Sequence, residues 1–177
     1  MWCMSTYIRP KLPGAKVFFT VALADRASDL LVREIGALRA AVAGVRAERP
    51  FGIEAWVVLP DHLHAMWTLP VGDADFSTRW KEIKARFTKS VGVVGQRSAS
   101  KIAKGEMGVW QRRFWDHHIR DEADFAAHVR YCWGNPVKHG YVERAVDWPY
   151  SSIHRDIRSG RVEPEWSGMV PDGDYGE

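Results

Sequence analysis

The segment FGIEAWVVLPDHLHAMWTLP, residues 51–70, places two apolar runs on either side of the dipeptide Pro60-Asp61. Proline followed by aspartate is typical of a tight turn, and each apolar run has the length of a strand. The segment therefore predicts an antiparallel hairpin with strands over residues 51–60 and 62–69.

The second strand of this hairpin contains two histidines one residue apart. Side chains of a strand alternate between its faces, so one face carries the apolar residues Leu63, Ala65, Trp67 and Leu69. The opposite face carries His62, His64, Met66 and Thr68. Two adjacent imidazoles can hold one metal ion. The alternative is a pair of half-exposed histidines on a solvated sheet face.

Composition limits the class of protein. A chain of 177 residues with 46% apolar and 27% charged residues is expected to form one compact domain. It contains no apolar run of the ~20 residues that cross a membrane, and its N-terminus lacks the apolar region of a signal peptide. Cys3 and Cys132 are the two cysteines, too few for a disulfide framework or a cysteine zinc site, so a cytoplasmic location is expected.

Charge is distributed unevenly along the chain. Residues 77–105 contain eight basic residues and one acid, a net charge of +7, whereas residues 163–177 contain five acids and no lysine or arginine. The basic segment favours a polyanionic partner, although most charge runs are solvated helix faces. We expect the acidic tail to fold over the basic segment and compete with that partner; a solvated terminus is the alternative.

Other strands and helices follow from periodicity. The run at 16–25 is apolar on both faces of an extended chain, which predicts a central strand, and residues 114–119 predict a fourth strand. Helices are predicted by apolar spacing and caps, from Ser28 or Asp29 to Ala47, over 75–95, and over 120–136 between the cap Asp121 and the stop Pro136. Residues 96–108 are predicted as a loop. The order indicates an α+β protein with a ferredoxin-like antiparallel sheet of four to five strands covered by helices.

The last of these helices contains an unusual tyrosine. Its apolar stripe is expected to comprise Phe125, Val129, Cys132 and Trp133. Tyr131 points about 145° from the centre of that stripe, and Asn135 lies one turn later on the same side. Tyr131 is thus either a functional residue or an ordinary surface tyrosine.

Four blocks of sequence carry a family resemblance. They are VVLPDHLHAMWTLP, GDADFSTRWKEIK, VWQRRFWDHHIRDEADFAAHVRYCWGNPVKHGYV and DWPYSS. Together, from Gly14 to Ser152, they resemble the REP-associated tyrosine transposases, members of the single-tyrosine HUH endonucleases. The resemblance implies the HUH nuclease fold, with a catalytic domain over residues 1–155 and an acidic tail over 156–177.

The resemblance also implies a site and a reaction. Tyr131 falls on the position of the nucleophile, and His62, His64 and Asn135 fall on the metal-ligand positions. The expected cofactor is Mg²⁺ or Mn²⁺. The expected substrate is single-stranded or hairpin DNA, cleaved through a 5′-phosphotyrosine intermediate. Neither a membrane nor a small-molecule cofactor is expected as a partner, and a monomer is favoured over a dimer.

Several basic residues are candidates for binding DNA phosphates. They are Lys81, Lys84, Arg112, Arg113 and Lys138. His128 shares the face of Tyr131 and is either a proton acceptor or a solvated histidine, while His117 and His118 are expected on opposite faces of the fourth strand.

Two other functions are compatible with parts of the sequence. A DNA-binding protein that has lost catalysis would keep the basic segment without needing a metal. A metal hydrolase of a small substrate would use the histidine pair, but no carboxylate base is predicted beside it.

Overall fold

The computed structural model describes residues 11–168, 170 and 172–177, so the first ten residues of the predicted catalytic domain lie outside the described part. Its strands are β1 (Lys16–Ala22), β2 (Gly52–Val58), β3 (His62–Thr68) and β4 (Trp115–His118). They form one antiparallel sheet in the order β2-β3-β1-β4. The predicted α+β class and antiparallel sheet are confirmed.

Six helices and one short 3-10 turn accompany the sheet in the described part. They are α1 (Leu30–Arg33), α2 (Ile35–Glu48), α3 (Phe76–Val91), α4 (Ala99–Ala103), α5 (Glu122–Lys138), the 3-10 turn Ala145–Asp147, and α6 (Ile153–Arg158). No helix among the described residues is long and apolar enough to cross a membrane.

The hairpin of β2 and β3, predicted over residues 51–70, is present in the structure. Val57 pairs with His64, and the Leu59 amide donates to the His62 carbonyl oxygen at 2.8 Å, which closes the turn. β1 lies between β3 and β4. Two consecutive residues of β1, Phe18 and Phe19, point to opposite faces of the sheet, and both are fully buried. This placement explains why β1 is apolar on both sides.

The two faces of the sheet have different chemistry. One face packs against α2 and α3 and is apolar; Trp67 of β3 stacks on Trp80 of α3 at 4.4 Å between ring centroids. The other face carries the two histidines of β3 and packs against α5 through Phe18, Met66 and Tyr131. The alternation predicted for β3 is therefore confirmed, and its polar face is covered rather than solvated.

Two predicted segments differ from the structure. The first helix is divided at Glu34, because the Leu31 amide bonds to the Pro60 carbonyl oxygen and ties α1 to the hairpin turn. The predicted loop at 96–108 contains α4, whose N-cap Ser98 accepts a bond from the Lys101 amide.

The last long helix is also longer than predicted. It does not stop at Pro136 but continues to Lys138, since a proline in the final turn removes only one hydrogen bond. Its predicted cap, Asp121, does accept a bond from the Asp124 amide, at 2.8 Å. The boundary predicted between residues 155 and 156 lies inside α6. Asp156, on the tail side of that boundary, is buried and accepts a bond from Trp133 of α5, which ties α6 to the rest of the domain.

Candidate active site

His62 and His64 lie side by side on the face of β3 that α5 covers. Their ring centroids are 5.1 Å apart, and both side chains are buried. This arrangement excludes the alternative of two half-exposed histidines on a solvated face.

Neighbouring groups fix the orientation of both rings. His62 Nδ1 lies 2.8 Å from Asp61 Oδ1, and a carboxylate only accepts, so the hydrogen of neutral His62 is on Nδ1. His64 Nδ1 lies 2.8 Å from Thr20 Oγ1, whose own hydrogen is donated to the Tyr175 carbonyl oxygen. Neutral His62 therefore directs the lone pair of Nε2 into the site, the arrangement typical of metal-binding histidines. His64 Nε2 faces the same space, where the Glu177 carboxylate lies 2.9 Å away.

The polar stripe of α5, and not only its apolar stripe, faces the sheet. Tyr131 is 1% exposed and Asn135 is 0% exposed, whereas Phe125 and Val129 are only half-buried. The alternative of an ordinary surface tyrosine is therefore wrong. The predicted apolar stripe also packs inward, with Cys132 and Trp133 buried and Phe125 and Val129 partly buried against the same clusters. The polar stripe faces the sheet because the opposing sheet face is itself polar around the histidine pair.

Tyr131 lies next to the histidine pair and to a lysine. Its ring centroid is 5.1 Å from that of His64, and its hydroxyl oxygen accepts a hydrogen bond from Lys138 Nζ at 3.1 Å. The fold thus brings the predicted nucleophile next to the predicted histidine ligands, and it adds Lys138 to the site.

The end of the acidic tail also lies in this site. Glu177 Oε1 is 2.9 Å from His64 Nε2, 2.8 Å from Asn135 Nδ2 and 3.1 Å from His139 Nε2. Glu177 Oε2 accepts from Lys138 Nζ at 2.5 Å. The expectation that the tail covers the basic segment is wrong for its described end, because these donors converge on its last carboxylate.

Two residues of this site, His139 and Glu177, are not among those predicted from the sequence. His139 follows Asn135 by four residues, so helical spacing could have placed it on the same face. Glu177 lies 113 residues from His64, and only the folded chain brings the two together.

Burial sets the protonation of the site. It lowers the pKa of His64 to about 4, so this imidazole is neutral at pH 7. Burial, reinforced by Glu177, raises the pKa of the Tyr131 phenol well above its ordinary value. Burial also disfavours the Glu177 carboxylate, yet hydrogen bonds led by that from His139, and including those from His64 and Lys138, lower its pKa overall.

Comparisons with known proteins place the chain. No protein-family model matches it. It is 46% identical over 174 residues to the REP-associated tyrosine transposase of Escherichia coli, covering 98% of each chain. The chain belongs to the REP-associated tyrosine transposases.

Two further comparisons agree with this membership. A putative REP-associated tyrosine transposase of Haemophilus influenzae is 40% identical, over 93% of this chain and 94% of that protein. The solved structure of a REP-associated tyrosine transposase bound to a REP hairpin superposes with a TM-score of 0.89, at 46% identity over 98% of each chain.

In this member of the REP-associated tyrosine transposases, the donor set fits a divalent cation. His62 Nε2 and Asn135 Oδ1 are buried and have no hydrogen-bond partner among the described residues. Ligand atoms of His62, His64 and Glu177 lie within 4.8 Å of one another. A cation would satisfy the two orphaned acceptors, which are costly to leave unpaired.

Most of the basic residues predicted to bind DNA lie away from the histidine pair. Lys81 and Lys84 are on α3, which packs on the opposite face of the sheet. Lys84 donates to the Gln111 carbonyl oxygen at 2.9 Å, and Arg112 is paired with Glu106 at 3.0 Å. Arg113 is exposed. Among the described residues, Lys138 is the one member of the set that contacts Tyr131 and Glu177 beside the histidine pair.

The fourth strand separates its two histidines as predicted. His117 faces α5 and lies 2.8 Å from Asp124, whereas His118 faces the other layer, with its ring 5.9 Å from that of Phe76. Only His117 is therefore on the side of Tyr131.

Proposed function

We propose that this chain cleaves and rejoins hairpin or single-stranded DNA, with Tyr131 as the nucleophile. The observation that carries the proposal is the contact of Tyr131 with His64, next to His62 and one helical turn before Asn135, in a chain of this family. A REP hairpin is bound in the solved relative, which supports hairpin DNA as the substrate class here.

In the proposed reaction the Tyr131 oxygen attacks the scissile phosphorus. A Tyr131–phosphorus ester forms, the bond from phosphorus to the 3′ oxygen breaks, and that oxygen takes up a proton while the phenol loses one. The products are a 5′-phosphotyrosine and a free 3′-hydroxyl. Attack of another 3′-hydroxyl on the phosphotyrosine reverses these steps and rejoins a strand.

Lys138 is proposed to stabilise the phenolate. Its ammonium donates to the Tyr131 oxygen, and a cation at this distance favours the charged form of the nucleophile. Glu177 opposes ionisation of Tyr131, so deprotonation becomes easier once the tail has left the site.

His62, His64 and Asn135 are proposed to hold Mg²⁺ or Mn²⁺, which when bound supplies charge neutralisation at the phosphate. The imidazole ligands favour Mn²⁺. Asp61 contributes by holding the His62 ring in the tautomer that presents Nε2, and Thr20 contributes by fixing the orientation of the His64 ring through Nδ1.

A monomer is the proposed active form. Tyr131 and both histidines come from one chain, so the site needs no residue from a second copy. The cytoplasm remains the predicted location, since Cys132 is a buried free thiol.

The test is formation of a covalent protein–DNA adduct. A 3′-labelled REP-type hairpin is incubated with the full chain and Mn²⁺, and the label is followed on a denaturing gel. Tyr131→Phe is expected to abolish the adduct, because the nucleophilic oxygen is gone, while its melting temperature stays within a few degrees of the parent. Tyr141→Phe, on an exposed tyrosine, is the matched control and should retain the adduct.

Two outcomes would contradict the proposal. An adduct formed by Tyr131→Phe would move the nucleophile elsewhere. Hairpin binding without an adduct in the parent chain would favour the alternative, a DNA-binding protein without catalysis.

A further inference from the structure

The ring of Tyr175 occupies a slot lined by three aromatic side chains. It stacks on Tyr131 with ring centroids 3.6 Å apart and an interplanar angle of 11°. Phe18 and His128 meet it edge-on, at 6.1 Å and 5.0 Å. The slot thus accepts a flat aromatic ring that stacks on Tyr131 and is bordered by the steeply inclined rings of Phe18 and His128.

One wall of the slot carries an unpaired acceptor. Burial opposes ionisation of Asp124, yet hydrogen bonds from His117 and Arg120 lower its pKa to about 2, so it is a carboxylate. His128 Nδ1 lies 2.8 Å from the Asp124 carbonyl oxygen and 3.2 Å from its carboxylate, which places the hydrogen on Nδ1. His128 Nε2 is therefore an acceptor, and it is buried with no partner among the described residues.

The tail presents an aromatic ring and an anion in close succession. Two residues after Tyr175, the Glu177 carboxylate lies among His64, Asn135, His139 and Lys138, where an anionic group is neutralised. A nucleotide offers the same pair of groups, a flat base beside a phosphate. Base stacking on aromatic side chains is a general mode of single-strand binding.

We propose that the slot is a nucleobase subsite, which rests on the proposed function: when Tyr175 leaves, a base next to the cleaved phosphate stacks on Tyr131 and fits against Phe18 and His128. A base whose edge carries an N–H donor, such as the amino group of adenine, donates to His128 Nε2. His128 is accordingly a specificity residue, and Tyr175 is the ring that the base displaces.

The subsite can be measured without any cleavage. The probe is 2-aminopurine deoxyriboside 5′-monophosphate, whose fluorescence is quenched on stacking, titrated into the full chain and into Tyr175→Ala. We expect Tyr175→Ala to bind it at least tenfold more tightly, with stronger quenching, because the slot is vacated. Deoxyadenosine 5′-monophosphate should compete strongly, and deoxyribose 5-phosphate, which has the phosphate but no base, should compete at least tenfold more weakly.

A second variant distinguishes the contribution of the His128 Nε2 acceptor from that of the His128 ring. In the Tyr175→Ala background, His128→Phe keeps an aromatic edge and removes Nε2, and it should weaken binding about fivefold while leaving quenching in place. Equal affinity of the parent and Tyr175→Ala, or competition by deoxyribose 5-phosphate as strong as that by deoxyadenosine 5′-monophosphate, would overturn the subsite. An unchanged affinity in His128→Phe would overturn the role of His128.

A cleavage arm distinguishes this inference from the proposed function. An abasic site beside the mapped cleavage position should slow adduct formation about tenfold in Tyr175→Ala. Failure of every hairpin to form an adduct overturns the proposed function, while the monophosphate titration still decides the subsite.

Discussion

At the scale of single residues, His64 is the metal-ligand candidate whose surroundings are most constrained. Thr20 holds its Nδ1, and Nε2 faces the space that Glu177 Oε1 now occupies. We expect His64→Ala to weaken Mn²⁺ binding, measured by calorimetry, at least tenfold, since one of three ligands is lost. Hairpin affinity should change little, because it depends mainly on phosphate contacts.

His154→Ala is the matched control for this substitution. His154 Nε2 bonds to the Trp148 carbonyl oxygen, away from the histidine pair, so its loss should leave Mn²⁺ affinity unchanged. Normal Mn²⁺ affinity in His64→Ala would remove His64 from the ligand set.

The depressed pKa of His64 also predicts a pH dependence of stability. The folded pKa of about 4 lies below the unfolded value of 6.5, so the unfolded chain binds the proton first as the pH falls. In the presence of a chelator, the free energy of unfolding should decrease by about 2 kcal/mol between pH 6.5 and pH 5 through this group. Denaturant titrations of the parent and His64→Gln measure it, and an equal decrease in both would contradict the assignment.

At the scale of elements, α5 and the tail meet over the sheet. Trp166 packs on Trp133 and Val170 packs in the cluster around Tyr131, so the tail is held before it reaches the site. Its last residues, Tyr175 and Glu177, then cover the groups proposed to bind phosphate.

Removal of residues 173–177 is therefore expected to raise the rate of adduct formation about tenfold. Tyr175 and Glu177 obstruct the site by direct contact and not by long-range attraction. The gain in rate should therefore persist at salt concentrations that screen surface charges. A gain that disappears in high salt would indicate long-range attraction to the basic segment instead. Glu165→Gln, which removes an exposed acid of the same tail, should leave the rate unchanged.

At the scale of the whole molecule, the basic residues of α3 and the candidate active site lie on different faces of the sheet. The basic residues of α3 lie on the opposite face of the sheet from Tyr131, so any DNA that contacts both must pass around an edge of the sheet. Lys81 is exposed, and no hydrogen bond or ion pair is seen for it within the described residues.

Lys81→Ala tests whether this face binds the phosphates of DNA. If Lys81 neutralises one phosphate, hairpin affinity should fall, and the slope of log affinity against log salt should decrease by about 0.9. Arg144→Ala, which removes an exposed arginine paired with Asp147, is the control and should leave the slope unchanged. An unchanged slope in Lys81→Ala would exclude α3 from the path of the DNA.

The amino-acid sequence by itself determined the hairpin of residues 51–70, the central position of β1 and the face that His62 shares with His64. These follow from local rules, since strand alternation and turn chemistry act between near neighbours. The spacing of Tyr131 and Asn135 on one side of α5 belongs to the same class, as does the family resemblance carried by contiguous blocks.

Only the tertiary structure decided which side of α5 is buried and where the tail ends. Helical spacing places Tyr131 opposite Phe125, but the polar face of β3 determines that the tyrosine packs inward. Glu177 reaches His64 across 113 residues of chain, and its position depends on donors from β3 and α5 that converge only after folding. Contacts of this kind leave no periodic trace in the sequence, because they join groups whose separation along the chain is unrelated to their distance in space.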